Sequence, residues 1–170
     1  MRTTDIGNIL ALLFSELIDG AHDNNAFVLN GGDAGLLRSL DRLSASDASR
    51  SVHDGATIAA HVRHVRYGLS LMNRWASEGG NPFANADWSE AWKTTAVDEA
   101  TWKQIRSELR EEAHQWLPTL KAPRDVVEVE LSGMIASVVH LAYHLGAIRQ
   151  IDKNARGPKE GAGTGSASHV

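Results

Sequence analysis

Two pairs of histidines are the residues in this chain whose type and spacing could do chemistry. His140 and His144 stand four apart in HLAYHLGAIRQI, and His61 and His64 stand three apart in ATIAAHVRHVRYG. Both stretches carry apolar residues at helical intervals, and residues three or four apart on a helix share a face, about 6 Å along the axis for the wider spacing. Two imidazoles so placed can point at one ion. Alone, the wider pair is weak ground, because a chain with eight histidines yields roughly 0.4 such pairs by chance. A second pair on another helix raises its weight, since helix bundles build metal sites from inward side chains on facing helices. Three neutral imidazoles suit zinc, nickel or iron and leave positions open for water or substrate. The competing reading is that these are core histidines satisfied by their neighbours.

The residues around the pairs bear on the choice. Ala60 and Gly68 lie one turn either side of His64, and Gly133, Ala136 and Ala147 lie along the stripe of His140 and His144. Small side chains there either leave a cavity or let the helices approach closely. Trp88 and Trp92 sit in a loop-like segment and are too large and apolar to stay in water without cause; they wall the pocket or, more simply, fill the core. Glu128 and Glu130 open the last long helix, where acids are favoured by the helix dipole without any ligand role. Tyr67 and Tyr143 have no role that spacing decides. His22, His53, His114 and His169 read as surface or loop residues. No Gly-rich phosphate loop, G-x-S-x-G elbow or Walker-type motif is present.

Four long helices must position these groups. The first spans about Thr4 to His22, with Thr4 or Asp5 as N-cap and Ile6, Ile9, Leu10, Leu13 and Leu17 on one face. The Asn- and Gly-rich NNAFVLNGGDAG breaks the pattern, and one short helical piece, LLRSLDRL, follows. The second long helix runs from about Gly55 to Ala76, and the third from VDEATW to Pro118. The fourth, about Asp125 to Asp152, is apolar nearly all round from Leu131 to Ile148 and should sit centrally among its neighbours. The pattern gives an all-α fold, with no strand-like runs to support an α/β alternative. Residues 1–153 form one helical domain; 154–170 form a Gly- and Ser-rich tail without apolar period, expected to be flexible or ordered only by a contact.

Composition narrows the chemistry. The 170 residues carry a net charge of -4 with Lys and Arg scattered among acids, which gives nucleic acid no basic face to bind. Cysteine is absent, so a metal site must use nitrogen and oxygen, and nothing requires an oxidising compartment; the expected location is cytoplasmic. The early apolar run is interrupted by Ser15 and Glu16 and lacks a cleavage site, so it reads as a helix, not a signal peptide. No uninterrupted apolar stretch approaches membrane-span length, and no membrane partner is expected.

The pairing of TIAAHVRHVRYGLSLMNRW with SVVHLAYHLGAIRQI, separated by a Trp-containing segment and a third helix, resembles the DinB/YfiT-like superfamily of metal-dependent enzymes over about residues 4 to 152. The resemblance implies a four-helix bundle, here with an additional short helix, that often dimerises and binds nickel or zinc through one histidine of the second long helix and an H-x-x-x-H pair of the fourth. Carried over, the metal ligands are His64, His140 and His144. Helical-wheel angles instead put His61 nearer the centre of the apolar face, so His61 rivals His64 as ligand and is otherwise the candidate for a proton-carrying role. The implied activities are hydrolysis, or S-transfer from a low-molecular-weight thiol to a small-molecule substrate. The alternative is a non-enzymatic metal-binding or stress-related helical homodimer.

Overall fold

A computed structural model describes residues 3–21 and 26–159, which form six α-helices and two 3-10 turns. In chain order the helices are α1 (Thr3–Asp19), α2 (Gly35–Leu40), α3 (Ala45–Ala48), α4 (Ile58–Glu78), α5 (Glu99–Lys121) and α6 (Glu128–Ile151). The 3-10 turns are Glu90–Lys93 and Lys153–Ala155, and no strand occurs among the described residues. The all-helical expectation therefore holds. α1 packs against both α5 and α6, and α4 does the same, so the four long helices form a ring in the order α1, α5, α4, α6.

Local chemistry sets the boundaries. Thr57 starts α4 by accepting the Ala60 N–H at 3.2 Å, and its own hydroxyl donates to the Thr94 carbonyl at 2.9 Å, tying the cap to the loop beyond α4. Asp98 caps α5 by accepting the Thr101 N–H at 2.7 Å. The expected short helix LLRSLDRL is α2, which ends at Leu40, and a further short helix, α3, follows because Ser44 and Asp47 form a capping box that starts it. Pro118 does not end α5, which runs three residues further to Lys121. Trp116 and Leu120, each 1% exposed, anchor that last turn in the core and offset the hydrogen bond the proline removes. α1 begins at Thr3, so Thr4 and Asp5 lie inside its first turn instead of capping it.

The core is built on large side chains that reach across the ring. Trp102 and Trp116 are buried, and an indole N–H removed from water needs a partner. Trp102 donates to the Leu43 carbonyl at 2.8 Å, pinning the α2–α3 segment to α5. Trp116 donates to the Ser137 hydroxyl at 2.9 Å, and that hydroxyl donates to the Met134 carbonyl at 2.7 Å, joining α5 to α6. Phe14, Leu17, Ile18, Leu36, Leu109, Leu141 and Leu145 complete the packing. Gly7 permits close approach of α1 to α5: a Cβ there would lie 2.4 Å from the Leu120 carbonyl oxygen.

α6 departs from its expected place. By length and composition it could cross a membrane, yet it packs against α1 and α4 through Met134, Val138, Leu141, Leu145 and Ile148. It is not central, because Ile135, Val139 and Tyr143 face outward as an exposed apolar stripe at four-residue intervals. The start of the tail is held: Ala155 is buried, its carbonyl accepts from Arg149 Nε at 3.2 Å, and the Pro158 carbonyl accepts from Asn30 at 3.3 Å. The tail from residue 160 onward lies outside the described residues, as do His22 and His169.

Candidate metal centre

α4 and α6 pack side by side and turn their histidines toward one another. His64 Nε2 lies 3.0 Å from His140 Nε2, and His144 Nε2 lies 3.0 Å from the same atom. The donor atoms of His64, His140 and His144 all fall within 4.8 Å of one another. His61 stands behind this group, its Nδ1 2.9 Å from His144 Nδ1. The three-nitrogen cluster contains His64, and His61 stands outside it, backing His144. His64 is 8% exposed and His61 half-buried, and both rings reach a histidine of α6.

Proton counting shows what the cluster suits. A ring nitrogen offers one proton or one in-plane lone pair. His140 Nε2 faces two other ring nitrogens at hydrogen-bond distance, and one proton cannot give both contacts a well-aligned bond. A cation between the three lone pairs removes the conflict. An ion about 2.05 Å from each donor needs every pair closer than about 4.1 Å, and a 3.0 Å chord at that radius subtends about 94°. The two pairs through His140 meet this condition; the third lies within the 4.8 Å envelope. Three neutral imidazoles on two facing helices are a donor set that suits a divalent ion.

The electrostatics agree. Burial depresses all four imidazoles below their ordinary range, and for His64, lowered to about 4, and His144, lowered to about 3, the neighbouring rings add a smaller push in the same direction. Each is neutral at pH 7, with a lone pair available for coordination. If His144 coordinates through Nε2, its proton sits on Nδ1 and donates to His61 Nδ1, so His61 fixes the tautomer as an outer hydrogen-bond partner does in metal sites. His64 Nδ1 is buried and has no hydrogen-bond partner among the described residues. Trp92 covers that ring, with centroids 4.4 Å apart.

A cavity of about 830 Å³ opens beside the cluster, and His64 and His140 form part of its wall. Gly68, Gly133 and Ala136 line it, as expected of small residues that leave room, whereas Ala60 is in the core and Ala147 is not on the wall. Gly133 is needed for Trp75: a Cβ there would come within 2.7 Å of the indole. Trp88 and Trp92 are not core residues. Each is 38% exposed; Trp88 lines the cavity, and Trp92 lies against His61, His64 and His144 from the Glu90–Lys93 turn. Trp75, Phe83 and Met72, which sequence reasoning did not assign to the site, also line it.

The other candidates lie elsewhere. Glu130 accepts the Val127 N–H at 3.2 Å as a cap of α6, and Glu128 is exposed on the same first turn. Tyr67 accepts the Asp87 N–H at 3.2 Å and so braces the loop bearing Trp88. Tyr143 is 69% exposed, with its ring edge on His144. His53 and His114 are exposed, and His114 meets Asp19 at 3.2 Å.

No family model, curated protein or solved structure matches this chain.

Proposed function

We propose that this chain is a metal-dependent enzyme of the DinB/YfiT-like kind, a four-helix bundle in which His64, His140 and His144 hold nickel or zinc. The observation that carries this reading is the position of His140 Nε2, 3.0 Å from two other imidazole nitrogens at the edge of a cavity. A divalent ion bound by three neutral ligands keeps its full charge and supplies Lewis acidity, lowering the pKa of a water or thiol that it coordinates. His64 and His140 stand on the cavity wall and would hold the ion there together with His144, whose tautomer His61 would fix. The activity is hydrolysis of a small molecule or transfer of a low-molecular-weight thiol to it. The exposed stripe of Ile135, Val139 and Tyr143 supports a homodimer formed through α6, which light scattering on the purified chain tests.

One observation favours a second reading. Among the described residues no carboxylate or lysine lines the cavity, so proton transfer would fall to histidine alone, and a homodimer that binds metal without turnover needs none. Elemental analysis of protein purified without a histidine tag tests the metal. About one equivalent of nickel or zinc per chain, lost in His144→Ala, supports both readings; no metal, and no uptake on addition, removes the enzyme reading. Hydrolysis and thiol-transfer screens on the loaded protein then separate enzyme from binding module.

A further inference from the structure

The cavity wall defines what the site admits. Of its lining residues, Leu69, Met72, Trp75, Phe83, Trp88 and Leu141 give a hydrocarbon and aromatic surface, and among the described residues no acid, lysine or arginine lines it. The polar groups are few and partly committed: the Ser137 hydroxyl is bonded to the Met134 carbonyl and the Trp116 indole, and the Asn81 side-chain oxygen accepts the Phe83 N–H at 3.1 Å. In the metal-free protein a charged guest would give up its hydration there and find no counter-charge on the wall. An aromatic guest would find ring faces and a polarisable thioether. At about 830 Å³ the space falls in the range that encloses a drug-sized molecule, and its polar edge is at His64 and His140.

We propose that the ligand of this cavity is an uncharged, largely aromatic small molecule, held by the Trp75, Phe83 and Trp88 side of the wall with its one polar group turned toward His64 and His140. This rests on the reading of the histidines as the reactive centre only for its orientation. Selection of uncharged aromatic over charged ligands belongs to the wall of the metal-free chain and does not need the ion.

The test uses the full chain with metal removed by chelator, titrated calorimetrically with three probes of one shape: 2-naphthalenemethanol, 2-naphthoate and 2-naphthylmethylammonium. The alcohol is expected to bind saturably at one site per chain, at least tenfold tighter than either charged analogue. A Cβ at Gly68 would have His140 and Trp88 as its nearest neighbours, both at an ordinary 3.7 Å, so Gly68→Leu fills the cavity with little strain and should weaken alcohol binding tenfold or more. Ala136→Leu fills it from the facing helix and serves if the first variant does not fold. Absent binding of the alcohol, equal binding of a charged analogue, or wild-type affinity in a folded filled variant would overturn the proposal. Nickel titration of the same samples separates the two claims: nickel uptake without alcohol selectivity defeats the ligand class alone, and alcohol selectivity without nickel uptake defeats the metal reading alone.

Discussion

Replacing His140 by alanine removes the nitrogen that faces both other donors, and the size of the effect can be worked out. Structural zinc sites with four ligands bind with about 10–16 kcal/mol, or about 2.5–4 kcal/mol per ligand if shared evenly, which is about two to three powers of ten in affinity. At a metal concentration about 100 times the dissociation constant, binding stabilises the fold by about 2.7 kcal/mol; a site about 100-fold weaker gains only about 0.4 kcal/mol at that concentration. In a chain of this length about 1 kcal/mol moves the melting temperature by about 2–4 °C. Wild type should therefore gain about 5–11 °C on adding nickel or zinc, and His140→Ala about 1–2 °C. His140 is half-buried, so the variant should keep its fold in the absence of metal. Differential scanning fluorimetry with and without metal reads both numbers. An equal metal-dependent gain in the two proteins would refute the assignment of His140 as the shared ligand.

Three further outcomes follow from the same structure. His61→Phe should weaken metal binding about 10- to 100-fold in a chelator competition, because His144 Nδ1 loses the partner 2.9 Å away; unchanged affinity would mean that His61 is only packing. The metal-free protein should lose stability as pH falls from about 6.5 toward about 4. Unfolded imidazoles take up protons from about pH 6.5, whereas burial holds folded His64 at about 4 and folded His144 at about 3, so the unfolded state binds more protons across that window, by up to about 1.4 kcal/mol per pH unit for each group. Urea midpoints in chelator at pH 7.5 and 5.0 check this, and a His64→Asn/His144→Asn double variant that kept the full slope would show that other groups cause it. Gly7→Ala should cost about 1–3 kcal/mol, since its Cβ would press on the Leu120 carbonyl at 2.4 Å; an unchanged melting temperature would mean that α1 and α5 shift apart freely.

Much of this arrangement was legible because it is local. Periodicity located the four long helices, and the i,i+3 and i,i+4 histidine pairs are geometric consequences of a helix, so α4 and α6 could be named as the bearing elements. What the sequence left open depends on rotation and on long-range partners. His61 and His64 are only one turn apart, both meet histidines of α6, and which of them joins the three-nitrogen group is decided by how the two helices pack. Trp88 and Trp92 lie in a segment without period, so nothing local marks them as the wall of the cavity and the cover of the histidines.

Buried charges show the same limit. Glu16, read as the residue that breaks the first apolar run, is 3% exposed and accepts the backbone N–H groups of Phe27, Val28 and Leu29, shaping the loop after α1. Arg149, in the last turn of α6, pairs with buried Asp33 at 2.7 Å, and buried Asp152 is met by Arg50. Such pairs join residues more than a hundred apart in sequence. α6 looked like a central helix because nearly every face is apolar, but hydrophobicity reports the need for cover without saying whether this chain or another supplies it.

The most direct test is X-ray absorption at the zinc or nickel edge of untagged full-length protein carrying one equivalent of metal. Three imidazole nitrogens are expected around the metal near about 2.0–2.1 Å, falling to two in His140→Ala. A shell with no histidine scattering, or one unchanged by that substitution, would contradict a three-histidine site.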